Sequence, residues 1–406
     1  MEATSVQSSA LNPRLRFAAW LGGAVAVAAV ALGAMFWFRA DPARPQRTNV
    51  DYLAARALIR KSGSTQIRTA IDLLEKVVQR DPGFAPAWAS LAEGYTLAAD
   101  FPPALALPLS PVELQKHVAT AALHAFELAP DAPETLRSAG MISMQNHDWS
   151  EAEQRLQRAL QLAGPGDYEA NLEYAWFLMN VGRVREATPY EERAMRIEPS
   201  LMRPVALRAA LYEMNGDLNA AESLLLANGN LQENDPLRRQ GLFMVRMARH
   251  DQCGVPGKPA ADGLPCPLLA DPQGALSQAR TSYENAVASG NAGQLFALAH
   301  FAAFLGDRKL ALDMLDLWSN GSTQNLHIVW RPVMREVREM PGFVELVRKV
   351  GLVDYWRTTG HWGDFCRPVG ASSVSCSTPQ FATNEPKTTE RASPPGFTLA
   401  RGFPAM

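Results

Sequence analysis

Between Pro133 and Asn228 one pattern comes round three times, and it restricts the fold more than any other feature of the chain. With Ala152, Ala187 and Ala221 aligned, Leu156, Glu191 and Leu225 lie four residues on, and Ala159, Ala194 and Asn228 seven on. Gly182 and Gly216 stand five residues before the second and third alanines. The spacings of 35 and 34 residues match the period of a tetratricopeptide helix–turn–helix unit. Small residues at fixed places let helix A and helix B approach closely, and a turn residue separates them. Each unit then leaves an apolar face that only the next unit buries. The expectation is an all-α tetratricopeptide-repeat solenoid, a right-handed superhelix of about six or seven helix pairs, with one N-terminal transmembrane helix.

The 406 residues are 47% hydrophobic, ample for a large core, and the net charge of −2 leaves no electrostatic footprint for nucleic acid. Residues 1–16 form a short N-terminus. Residues 17–38, FAAWLGGAVAVAAVALGAMFWF, carry no charge over 22 positions, enough helix to cross a hydrocarbon core of about 30 Å. Trp20 and Trp37 fit an interfacial aromatic belt. The length, and the bulky Phe36, Trp37 and Phe38 ahead of Arg39, read as an uncleaved anchor rather than a signal peptide. Ala18, Gly22 and Ala26, with Ala29 and Gly33, give the span a small-residue face through which a homodimer can pack. Arginines on both sides leave orientation open on the positive-inside count.

Residues 39–49 hold two prolines and read as a linker. The repeat domain is expected over 50–368. Within it, Trp88, Leu91, Ala92 and Tyr95 match the W-x₂-L-x₃-Y core of a helix A. A Pro/Gly-rich loop at 251–272 interrupts unit six. Leu298, Ala299, Ala302, Gly306, Ala311 and Leu315 then restore the register. Residues 369–406, rich in Ser, Thr and Pro, are expected to be disordered. All four cysteines lie beyond residue 250, in two close pairs: Cys253 with Cys266, and Cys366 with Cys376. The pairs read as disulfides in an oxidising compartment. Two free thiols remain the other reading of the first pair. A zinc site with His250 lacks a C-x-x-C knuckle.

Two stretches together resemble a known family. TQIRTAIDLLEKVVQRDPGFAPAWASLAEGYTLAA and MREVREMPGFVELVRKVGLVDYWRTTGHWGDFCRP resemble the periplasmic tetratricopeptide sensor region of CadC-like membrane-integrated transcription activators. The resemblance covers Asp51 to about Pro368. It implies an anchor in a bacterial inner membrane and a periplasmic repeat domain. Members place a winged-helix DNA-binding domain ahead of the span. MEATSVQSSALNPRLR cannot build one, so no nucleic-acid partner is expected.

No phosphate-binding loop, dinucleotide fingerprint, nucleophile elbow or H-E-x-x-H motif occurs. The reading is therefore of a non-enzyme, with no catalytic residue, no cofactor and no metal. What the repeat supplies instead is a groove. Carried over from the family fold, the concave positions of helix A are Arg137, Met141, Met144 and Gln145 in unit three. Unit four contributes Glu169, Leu172, Trp176, Met179 and Asn180, and unit five Arg203, Glu213 and Met214. Methionines around a tryptophan suit a protein or peptide partner. The other reading is that these side chains cover neighbouring helices or the inserted loop. The expected function is a membrane-anchored, protein-binding scaffold on the periplasmic side. The alternatives are a signalling component working with a separate regulator, or an assembly scaffold facing the cytoplasm.

Overall fold

The computed structural model describes residues 44–377 apart from 62, 100–106, 228–234, 250–270, 290–291, 293–294, 322–324 and 371–372. The 17–38 span, Asn228, Cys253 and Cys266 lie outside the described residues. Among the described residues no helix is long and apolar enough to cross a membrane. The chain divides into two compact units between Ala139 and Gly140.

The first unit contains helices α1 (Arg44–Lys61), α2 (Ser64–Arg80), α3 (Ala85–Ala98), α4 (Pro111–Leu128) and the start of α5 (Pro133–Gln145). In α2 the apolar residues Ile67, Ala70, Ile71, Leu74, Val77 and Val78 recur at helical spacing, and all are buried. Gly94 of α3 lets the next helix close on that stripe, since a Cβ there would meet Ile71 Cγ1 at 3.0 Å. Helix α4 opens on a capping box in which Ser110 Oγ accepts from Glu113 N and Ser110 N donates to Glu113 Oε2. That arrangement satisfies two of the orphan amides of a helix start. Helix α1 corrects the expected linker, for residues 44–49 are already helical. Pro45 stands in the first turn, where its missing N–H breaks no intrahelical bond.

The second unit continues with the rest of α5, then α6 (Trp149–Ala163), α7 (Tyr168–Asn180), α8 (Val184–Ile197), α9 (Met202–Met214) and α10 (Leu218–Ala227). After them come α11 (Pro236–Arg249), α12 (Pro272–Ser289), α13 (Leu295–Phe304) and α14 (Arg308–Trp318). The pattern read from the sequence is the packing seen. Ala152, Ala187, Ala221 and Ala311 are each fully buried at the A/B contact. The turns five residues before them take a positive φ: Gly182 at 79°, Gly216 at 85° and Gly306 at 87°. In unit three His147 occupies the same turn at φ 62°, a conformation costly for a residue with a Cβ. Asp148, Asp217 and Asp307, one place further on, cap their helices by accepting from the N–H of Glu151, Ala220 and Leu310.

Beyond α14 the hairpin rhythm stops. Two 3₁₀ turns, Leu326–Trp330 and Pro332–Met334, lead into short helices α15 (Arg335–Arg338), α16 (Pro341–Lys349) and α17 (Leu352–Thr359). Strands β1 (Cys366–Val369) and β2 (Ser373–Cys376) follow as an antiparallel pair. Their end residues, Cys366 and Cys376, are joined by a disulfide. Apart from this hairpin every regular element of the described residues is helical, as expected, while residues 369, 370 and 373–376, expected in a disordered tail, belong to the hairpin. A covalent bridge holds a Ser-rich ribbon that has little apolar surface of its own.

Candidate functional site

Helix A of a repeat faces the groove with side chains about one turn apart, and in units three to five those side chains are already covered. Met144, Met179 and Asn180 are fully buried, and Leu172, Glu213 and Met214 nearly so. Met141 and Trp176 remain half-buried against the core. Arg137 belongs to the first unit, where it is buried and lies 3.9 Å from Glu93. The reading in which the Met144–Met214 set forms an open ligand surface is thus corrected, and at Trp176, Asn180 and Glu213 the covering is the chain's own segment 326–331.

The contacts of that segment are specific. Asn180 Oδ1 accepts from the backbone N–H of His327 at 3.0 Å, and Asn180 O accepts from Trp330 Nε1 at 3.2 Å. The His327 ring lies 4.3 Å from the Trp176 ring. Arg331 pairs with Glu213 through its guanidinium. Burial pushes the Glu213 carboxyl up, and the Arg331 charge opposes that shift. His300, whose two ring nitrogens lie 3.0 and 3.2 Å from the carbonyls of Phe296 and Ile328, is driven by burial down to about 4, and the single N–H of the neutral ring donates to one of the two. His327 is held well below its ordinary range by burial, with Arg331 adding to the shift. Both rings are therefore neutral near pH 7, as a closed interior demands.

The closing helices grip the turns of units three and four. Trp356 Nε1 donates to Val181 O at 2.9 Å, Asp364 N to Gly182 O at 2.8 Å, and Arg185 N to Asp364 Oδ2 at 3.0 Å. Trp149 Nε1 reaches Val350 O at 2.6 Å. Trp330 stacks on Phe365 at 5.3 Å and meets Phe343 edge-on at 6.0 Å. Beneath them Arg183 donates to Glu153 Oε1 at 2.5 Å and to Tyr355 OH at 2.6 Å, while Tyr355 OH donates to Glu153 Oε2 at 2.9 Å. Glu186 takes the other edge of the guanidinium at 2.6 and 2.8 Å. One guanidinium thus faces two carboxylates, the buried Glu153 and the exposed Glu186, and ties the turn at Arg183 to Tyr355 of α17.

Sequence reasoning missed Glu153, Arg183 and Tyr355. One signal was present: Arg183 stands where the other turns carry Asp148, Asp217 and Asp307, and a cation at a helix N-terminus opposes the dipole unless something else holds it. Arg331 and His327 carried no such signal, because the segment that bears them has no repeat register. Among the described residues no group of three or more His, Cys, Asp or Glu could hold a metal ion.

No family model and no curated protein matches the sequence. Several solved structures align with it, among them two helical-repeat proteins. PilW, a widely conserved type IV pilus biogenesis factor, is 18% identical over 50% of this chain and 87% of its own, with a TM-score of 0.36. The tetratricopeptide domain of P58(IPK) is 11% identical over 77% of this chain and 98% of its own, with a TM-score of 0.21. Likeness at these scores does not establish a shared fold, and the functional reading rests on the chain's own geometry.

Proposed function

We propose that the chain is a non-catalytic scaffold, held in a bacterial inner membrane by residues 17–38, that presents its helical hairpins to a protein or peptide partner on the periplasmic side. The observation that carries this reading is the recurring hairpin, with alanine at each close contact and a left-handed residue at each turn. Such stacks expose long rows of helix A side chains, the usual reason for building them. The disulfide between Cys366 and Cys376 supports an oxidising compartment, and the CadC-like resemblance agrees with it.

Since segment 326–331 fills the groove beneath, the partner meets the half-exposed rim. Met141 and Trp176 hold equivalent places in successive A helices, which pack about 8–10 Å apart, and together they offer an adaptable thioether beside a rigid aromatic. Affinity capture of the full chain from solubilised membranes identifies the partner. Trp176→Ala should then weaken its binding by about 2 kcal/mol, roughly thirtyfold, in a variant that circular dichroism shows to be folded. A folded variant that binds at full strength would move the partner to another face. Alkaline phosphatase fused to the C-terminus should be active; an inactive fusion would reverse the proposed orientation.

A further inference from the structure

Helix α1 is apolar on two faces. Ala55 and Ile59 are buried beneath it, and at its flank Asp51 pairs with Arg80 and Arg56 with Glu93 at 3.1 Å, all four at best partly exposed. Its exposed positions include four apolar ones. Val50 is 64% and Leu53 58% exposed, and Ala54 and Ala57 are exposed with them. These four recur at i, i+3, i+4 and i+7, one continuous stripe on a helix, bounded by Asn49 and Lys61. Its neighbour α2 behaves ordinarily, with exposed Thr65, Thr69, Asp72, Lys76 and Gln79. Isolated exposed leucines are normal on any protein. A helix with an apolar stripe on its solvent side as well as on its buried side asks for a covering.

We propose that this stripe lies on the lipid surface, resting on the reading of residues 17–38 as a membrane span. Only residues 39–43 separate that stretch from α1, a tether of at most about 20 Å. Wherever the span leaves the bilayer, α1 begins within reach of the headgroups, and an apolar stripe on such a helix settles at the interface. Four small and medium side chains fall short of the roughly 800 Å² per partner that a stable protein interface buries. They suffice beside a span, where contact is intramolecular and the effective concentration of lipid is high. Lying flat, α1 fixes how the first unit is presented to whatever the repeats receive.

The test uses the full chain in vesicles of phosphatidylethanolamine and phosphatidylglycerol. A fluorescent amino acid replaces Val27, Leu53 or Thr69 one at a time, with circular dichroism to confirm folding. Quenching by nitroxides on the lipid tails is compared with quenching by iodide in the water. The expected result is loss of emission to lipid nitroxide at Val27 and Leu53, and to iodide at Thr69. A probe at Leu53 as open to iodide as that at Thr69, with Val27 still quenched by lipid, overturns the inference and leaves the anchor standing. Protection at Leu53 from both quenchers also overturns it, assigning the stripe to protein. A probe at Val27 untouched by lipid removes the anchor itself.

Discussion

Two turns of the second unit share one backbone and differ in everything around it. Gly182 and Gly216 both sit at positive φ between a helix A and a helix B, five residues before a buried alanine. Around Gly216 nothing would touch an added Cβ, whereas at Gly182 the ring of Trp330 stands 3.2 Å from that position. The next residue follows the same split: Asp217 caps its helix, and Arg183 is buried in ion pairs with Glu153 and Glu186. The repeat dictates how a turn is made. The closing segment decides which turn becomes core.

The largest test of that contrast is Arg183→Ala against Asp217→Ala. Removing Arg183 strands Glu153 in the interior with only hydroxyl and amide neighbours, at a cost of about 3–5 kcal/mol. Losing the Asp217 cap costs about 1 kcal/mol. Urea denaturation of both variants would show it, and equal losses would mean that the two turns bear the same load.

Next comes Glu191, which stands in the register of Leu156 and Leu225 and is as buried as they are. Burial pushes its carboxyl up to about 8, against the pull of Arg208, whose guanidinium lies 3.5 Å away. With the folded pKa above the unfolded one, the linked stability is fully present below about pH 4.5. It is lost as pH rises toward 8. Glu191→Gln should flatten that slope, recovering on the order of 2–3 kcal/mol at the alkaline end. Melting curves across the range check it; an unchanged slope would assign the pH dependence elsewhere.

The smallest effect compares glycines. Gly216→Ala should cost about 1 kcal/mol from the left-handed backbone alone. Gly182→Ala carries the same strain and also presses on the Trp330 ring, adding about 1 kcal/mol or more. A calorimetric difference between the two variants measures that crowding directly, and identical melting temperatures would show that the ring yields.

Much of the fold was legible because hairpin packing is local. Ala152, Ala187, Ala221 and Ala311 meet partners within their own unit, and the α2 stripe from Ile67 to Val78 announces its buried face. Even Glu191 stands out as a misfit once its repeat is aligned with those of Leu156 and Leu225. The start of α1 and the β-hairpin were not legible, since a first-turn proline and a bridged Ser-rich ribbon look like linker and tail by composition.

The candidate site was legible only as a set of positions. By itself the sequence determined that Met141 and Trp176, or Met144 and Met179, hold equivalent places in successive repeats, because repeat length is arithmetic; that they share a groove face with Asn180, Glu213 and Met214 was implied by the resemblance. Only the tertiary structure decided that most of these faces would be closed. Residues 326–331 come back across some hundred and fifty positions to Asn180, and much of what holds them is backbone: the His327 amide, the Asn180 carbonyl, and the Val329 and Arg331 carbonyls that accept from Arg338. Every residue type but proline offers the same amide and carbonyl, so such contacts leave no mark in the residue pattern.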